Sequence, residues 1–142
     1  MIGRQTLDTR RAFTLEELEQ FLRHHWDTEQ YNDFFIGRPT PASIEEYILL
    51  PATRRFMVIV YARKGGGLFS KSDKVILSVC ETPLGVYNRL SATINTHNIF
   101  YDAWLLSKFL STEKERKGPA EDALQKYTAY LRELLARAGY LK

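Results

Sequence analysis

The hydrophobic positions follow a helical period near both ends of the chain and a strand period between them. In FTLEELEQFLRHHW, residues 13–26, apolar residues recur three or four positions apart, as in an amphipathic helix. Thr14 followed three residues later by Glu17 is a capping-box pattern, which begins a helix. A second helical period runs from about Ala120 to Ala138 and stops at Gly139, a residue type that commonly ends helices. These two stretches predict helices.

Two central runs predict strands: RFMVIVYA, residues 55–62, and KVILSVCE, residues 74–81. Both alternating sets of the first run are apolar, so we expect a central strand that is covered on both faces. The preceding stretch, residues 44–50, has two interpretations. It forms either a strand that turns at Pro51 into the next strand or a helix capped by Ser43. We favour the hairpin.

The remaining segments complete an α+β prediction. Pro39 and Pro41 make residues 27–43 irregular, and two further helical patterns follow Pro83, at about 84–94 and 99–110. The charged stretch 111–122 is expected to be a solvated connection. We therefore predict an N-terminal helix, a short antiparallel meander of about three strands and two or three C-terminal helices packed on it. Residues 1–142 are expected to form a single globular domain.

Composition narrows the classes of protein. The chain has 142 residues, of which 44% are hydrophobic and 26% charged, as in ordinary globular proteins. Cys80 is the only cysteine, which excludes an internal disulfide. The longest apolar run is strand-sized and the N-terminus lacks the pattern of a signal peptide, so we expect a cytoplasmic protein with no membrane partner.

Charge is unevenly distributed along the chain. Residues 14–34 contain six acidic residues and one basic residue, whereas residues 51–80 contain six basic residues and one acidic residue. This asymmetry either attracts a charged partner or is neutralised when the acidic helix lies near the basic hairpin. The glycine-rich stretch GGGLFSKSDK lacks the spacing of a phosphate-binding loop and leads into a strand.

The glycine-rich stretch has two interpretations, a flexible hairpin connection or a contact for phosphate or nucleic acid. The second interpretation rests on an aromatic side chain that can stack on a base and on four flanking cations. This speculative anion or nucleic-acid site consists of Arg63, Lys64, Lys71, Lys74 and Phe69.

Other residues are candidates for a pocket, a metal site or a reactive thiol. A small-ligand pocket between the sheet and the C-terminal helices is assigned to Tyr47, Arg89, His97 and Trp104. His24 and His25 are adjacent on a helix and point about 100° apart, so they do not predict a metal site. Cys80 lies in an apolar strand, where burial makes a thiol unreactive. No catalytic residue and no cofactor are therefore predicted.

Three functional hypotheses remain. The first is a small non-enzymatic binding or regulatory protein, with a homo-oligomer expected because the doubly apolar strand exceeds what the helices cover. The second is a protein that binds nucleic acid or an acidic protein through the basic β-hairpin. The third is an enzyme or a small-ligand-binding protein that uses the pocket described above.

Overall fold

In the part of the chain that the structure describes, the protein is an α+β fold with two α-helices on one face of an antiparallel sheet. The computed structural model describes residues 3–31, 33–39, 44–53, 55–66, 72–81 and 114–142. Within these ranges the strands are β1 (Arg4–Thr9), β2 (Phe35–Gly37), β3 (Tyr47–Pro51), β4 (Phe56–Arg63) and β5 (Asp73–Glu81), and the α-helices are α1 (Leu15–His25) and α2 (Glu121–Arg137). The predicted fold class is confirmed, but the sheet has five strands rather than about three. The helices predicted at 84–94 and 99–110 lie outside the described residues.

The strands lie in the order β1-β5-β4-β3-β2, and every neighbouring pair is antiparallel. β4 is central, as its doubly apolar sequence predicts. The hairpin interpretation of residues 44–50 is confirmed, because β3 pairs with β4. Pro51 is the last residue of β3, opposite Met57, and the turn is closed by a hydrogen bond of 2.9 Å from the N–H of Thr53 to the carbonyl of Phe56.

The hydrophobic pattern does not predict β1 and β2, which are the two edge strands. In β1, Leu7 alone is a large apolar residue, and it lies opposite Val75 of β5. β2 has only three residues and lies in the segment expected to be irregular. An edge strand forms when its backbone completes the hydrogen bonding of a neighbour, so it needs few apolar side chains of its own. This explains why periodicity misses both strands.

One face of the sheet, here called the inner face, carries the hydrophobic core. β4 contributes Phe56, Val58 and Val60 to it, each at most 2% exposed. Fully burying a side chain of this kind stabilises the fold by roughly 1.5–3 kcal/mol. The helices and the other strands fill the same cluster with Leu7, Leu18, Leu22, Ile48, Leu50, Val75, Leu77, Leu124, Leu131 and Leu135.

The other face, here called the second face, is less buried. In β4 it carries Met57, Ile59 and Tyr61, which are all half-buried. Among the second-face side chains of the five strands, only Ile76 is buried, at 4% exposed. The expectation that both faces of β4 are covered therefore holds fully on the inner face and only in part on the second face.

The helix α1 begins with the predicted capping box. The hydroxyl of Thr14 accepts a hydrogen bond of 3.1 Å from the N–H of Glu17, and the carboxylate of Glu17 accepts one of 3.1 Å from the N–H of Thr14. These hydrogen bonds, followed by the nearby guanidinium of Arg11, lower the pKa of Glu17 below its ordinary value. The local sequence is thus sufficient to position this helix start.

The helix α2 ends at Gly139, as predicted, in a Schellman motif. Gly139 has φ of +78°, a conformation that favours glycine, and the N–H of Tyr140 bonds to the carbonyl of Leu135 at 2.9 Å. Residues 140–142 then run along β1: the N–H of Arg10 donates to Tyr140 and the N–H of Lys142 donates to Asp8. The C-terminal residues therefore cover part of the outer edge of β1.

The stretch 111–122, predicted to be a solvated connection, is helical in its described part, although every residue of 114–122 except Ala120 is exposed or half-buried, as predicted. Residues 116–120 form a π-helical turn that leads directly into α2, and Ala120 is fully buried. Pro119 lies inside this turn and has no N–H to donate to a regular α-helix. A wider turn accommodates the proline without ending the helix, which the sequence pattern does not reveal.

The segment between α1 and β2 packs on α2 through aromatic rings. Tyr31 stacks on Tyr130 with ring centroids 4.2 Å apart, and Trp26 contacts Phe34 and both tyrosines of α2, Tyr127 and Tyr130. The hydroxyl of Tyr130 accepts a hydrogen bond from the N–H of Asp27 at 2.9 Å. These contacts explain why an irregular segment rich in aromatic residues is held against the fold.

Candidate functional site

A group of four cations lies where β4 and β5 meet their connecting loop. Arg63 is directly opposite Lys74, and strand alternation places both side chains on the second face. Lys64 follows Arg63 and is exposed. Lys142 comes to the same place, where its ammonium donates to the hydroxyl of Ser72 at 3.0 Å. We call Arg63, Lys64, Lys74 and Lys142 the basic hairpin end.

Two tyrosines continue this surface along the second face. The guanidinium of Arg63 lies 5.9 Å from the ring centroid of Tyr61, and the ring of Tyr61 meets that of Tyr47 edge-on at 5.2 Å. Burial, followed by the neighbouring Glu45 carboxylate, raises the pKa of Tyr47. The phenol of Tyr47 is therefore neutral at physiological pH and donates to Glu45 at 3.3 Å. Cations and aromatic rings thus share one surface.

The charges of the basic hairpin end are not neutralised by the described residues. Asp8 lies opposite Lys74 on β1, yet within the described ranges no carboxylate is within 4.0 Å of Arg63, Lys64 or Lys74. Two of the three acidic residues of α1 pair elsewhere: Glu17 with Arg11, and Glu19 with Arg23. Neutralisation of the hairpin by the acidic helix, one of the two alternatives, is therefore not observed.

The described glycines of the hairpin have structural roles. A Cβ at Gly65 would lie 2.6 Å from the carbonyl carbon of Ser72, so the two backbone segments approach too closely for a residue with a side chain at this position. Gly66 has φ of +100°. The N–H of Gly65 donates to the carboxylate of Asp73 at 2.8 Å and so already has an anionic acceptor. The cations, rather than this amide, are the groups that remain available to a ligand.

The structure brings together part of the predicted anion site. Arg63, Lys64 and Lys74 are adjacent, while Lys71 and Phe69 lie outside the described residues. Of the predicted small-ligand pocket, Tyr47 lies beside Tyr61; the other three members, Arg89, His97 and Trp104, also lie outside the described residues. The sequence analysis missed Tyr61, although its position two residues before Arg63 in a strand places both on one face.

The other two candidates are the thiol of Cys80 and the adjacent histidines, His24 and His25. Cys80 is half-buried on the second face, and burial, followed by the Glu81 carboxylate, raises the pKa of its thiol, which disfavours the reactive thiolate. The rings of His24 and His25 meet edge-on at 4.9 Å. Within the described part of the chain, no three histidine, cysteine, aspartate or glutamate residues are grouped so that they can hold a metal ion.

Comparisons with known proteins do not assign this surface. No protein-family model matches the chain, and neither a search of curated proteins nor a search of solved structures gives a match. Neither described helix has the length and apolar character needed to cross a membrane.

Proposed function

We propose that the protein is a non-enzymatic binding protein whose basic hairpin end binds single-stranded nucleic acid. The observation that carries this proposal is the cross-strand pair of Arg63 and Lys74. Like charges directly opposite in a sheet are destabilising, and no described carboxylate forms an ion pair with either cation, although Asp8 lies opposite Lys74 on β1. A phosphate held between the two side chains would remove this repulsion and add charge-assisted hydrogen bonds.

The neighbouring tyrosines favour nucleic acid over an acidic protein. Tyr61 and Tyr47 are half-buried, so part of each side chain is accessible on the surface that carries the cations. Proteins that bind single strands combine a basic surface for the backbone with aromatic rings for the bases. An acidic peptide would use the cations but would have no base to stack on the rings.

The direct test is the binding of fluorescein-labelled oligothymidylate, followed by fluorescence anisotropy at increasing salt. With three or four phosphates neutralised, the logarithm of affinity should fall with the logarithm of salt with a slope of roughly −2 to −3. The variant Arg63→Glu/Lys74→Glu should bind at least roughly tenfold more weakly. Tyr61→Leu should weaken binding about fivefold or more, because it removes a stacking ring while preserving apolar bulk.

A matched control distinguishes binding at the basic hairpin end from nonspecific attraction by the net charge of the protein. The double variant Lys114→Glu/Arg132→Glu changes the net charge equally at exposed positions on the helical side of the fold. It should retain most of the affinity. Equal loss in both double variants, or competition by polyglutamate as strong as that by unlabelled oligothymidylate, would reject the nucleic-acid proposal. The small-ligand pocket and the homo-oligomer stay predictions.

A further inference from the structure

One edge of the sheet is partly covered by the C-terminal residues of the chain, whereas the other edge has no backbone partner among the described residues. The outer edge of β1 receives residues 140–142, which form backbone hydrogen bonds of 2.8 and 3.0 Å with Arg10 and Asp8. β2 ends the sheet on the other side, and among the described residues its outer edge has no backbone partner. Unpaired N–H and C=O groups on an edge strand can pair with an added strand.

On the second face, this open edge is apolar. Phe35 is 63% exposed, which is unusual for a phenylalanine, and its side chain forms the edge-side wall of an apolar recess of about 240 Å³. Leu49, Pro51 and Met57 line the rest of this recess together with neighbouring residues. An apolar side chain placed beside Phe35 would remove this surface from water.

On the inner face, the same edge is acidic. A cleft of about 600 Å³ separates the first turns of α1 from β2 and is lined by Ile36 and by three carboxylates, Glu16, Glu19 and Glu46. Glu19 pairs with Arg23, whereas Glu16 and Glu46 form no ion pair within the described ranges. Among the described residues that line the cleft, none is basic. The edge therefore presents an apolar surface on one side and negative charge on the other.

We propose that the outer edge of β2 binds an extended peptide segment in which apolar and basic residues alternate. Side chains of an added strand point alternately to the two faces of the sheet. One set would then lie beside Phe35, and the other would enter the cleft beside Glu16 and Glu46. This proposal concerns a different surface from the basic hairpin end and a partner of opposite charge, so it goes beyond the proposed function.

Charge also argues against a second copy of this chain as the occupant. Antiparallel pairing of two β2 strands about a twofold axis normal to the sheet would place both inner faces on the same side. The acidic clefts of the two copies would then be neighbours, and their carboxylates would repel each other. A short basic and apolar segment avoids this repulsion and needs only the three residues that β2 offers.

The test uses short fluorescein-labelled peptides and fluorescence anisotropy. A peptide of alternating valine and lysine should bind saturably. A peptide of the same composition with the valines and lysines in two blocks should bind at least roughly tenfold more weakly, because it cannot serve both faces at once. A peptide of alternating valine and glutamate should not bind detectably.

Substitutions at the β2 edge test whether the peptide binds there. Phe35→Asp should abolish binding without changing the melting temperature, since this side chain is largely exposed. Glu16→Lys/Glu46→Lys should reverse the preference, so that the valine–glutamate peptide binds and the valine–lysine peptide does not. The control Asp122→Lys/Glu133→Lys, on the exposed side of α2, should preserve the original preference.

Three results would overturn the proposal: no binding of the alternating valine–lysine peptide, binding that Phe35→Asp and Glu16→Lys/Glu46→Lys leave unchanged, or a dimer in light scattering that Phe35→Asp dissociates. The last result would assign the edge to a second copy. None of these results depends on whether oligothymidylate binds the basic hairpin end.

Discussion

The two faces of the central strand differ in what their side chains do. The inner-face residues Val58 and Val60 are fully buried against α1, α2 and the neighbouring strands. The second-face residues Ile59 and Tyr61 are only half-buried, and the same face continues into the cations Arg63 and Lys74. Strand alternation therefore places the buried side chains of β4 on the inner face and the accessible side chains of Tyr61 and Arg63 on the second face, within eight residues.

The strongest test of this comparison places a charge on each face. Val58→Asp should unfold the protein, because an unpaired charge in the core costs several kcal/mol out of a total stability of about 5–15 kcal/mol. Ile59→Asp should lower the melting temperature but leave a folded protein, since its carboxylate can reach water. Circular dichroism during heating measures both. Nearly equal melting temperatures would contradict the difference between the faces.

Truncation of neighbouring leucines gives a graded version of the same test. Leu50 is fully buried on the inner face, and Leu50→Ala should reduce the free energy of unfolding by about 2–5 kcal/mol. Leu49 is half-buried on the second face, so Leu49→Ala should cost roughly half as much. Urea unfolding followed by tryptophan fluorescence provides both values. A larger loss for Leu49→Ala would reverse the assignment of the core.

Tyrosine hydroxyls distinguish the faces more finely. The hydroxyl of Tyr127, on α2, donates to the carbonyl of Pro51 at 2.6 Å, and Tyr127→Phe should cost about 0.5–1.5 kcal/mol. The hydroxyl of Tyr61 makes no hydrogen bond within the described ranges, so Tyr61→Phe should change stability by less than about 0.5 kcal/mol. The same urea experiment applies, and equal costs would show that the Tyr127 hydrogen bond does not contribute.

Glu17 is an exposed residue in the first turn of α1, outside the sheet, and its substitution tests the contribution of one surface carboxylate to stability. The pKa of Glu17 is lower in the folded protein than its ordinary value of 4.5, so its contribution is complete above that value and is lost as the pH falls through the folded pKa. Below about pH 4.5, wild-type stability should therefore decline more steeply than that of Glu17→Gln. Parallel pH profiles from thermal melts would show that this carboxylate contributes nothing.

The smallest effect is expected at the basic hairpin end. Lys74→Ala should change the free energy of unfolding by no more than about 0.5 kcal/mol, because it removes both the repulsion with Arg63 and the attraction of Asp8. Asp8→Ala removes only the attraction and leaves the repulsion, so it should be slightly destabilising. Clear destabilisation by Lys74→Ala would mean that this lysine serves the fold rather than a ligand.

Local patterns predicted the elements that depend on their own side chains. The α1 capping box, the glycine that ends α2 and the alternation of β4 all act within a few residues, so the sequence contains the full signal. The π-helical turn before α2 was not predictable, because a charged stretch with Gly118 and Pro119 usually marks a connection. In the folded protein this turn packs against β4 and its last residue, Ala120, is fully buried, which the local pattern does not indicate.

The features of the candidate sites also differ in whether the sequence could predict them. Composition and periodicity are local properties, so they were sufficient to predict the fold class, the central strand and the basic character of the hairpin. Which residues meet depends on the folded arrangement: the register that sets Arg63 opposite Lys74, the β2 edge with exposed Phe35, and the cleft that joins Glu16 to Glu46. These arrangements arise from backbone pairing between distant segments, which side-chain patterns along the chain do not encode.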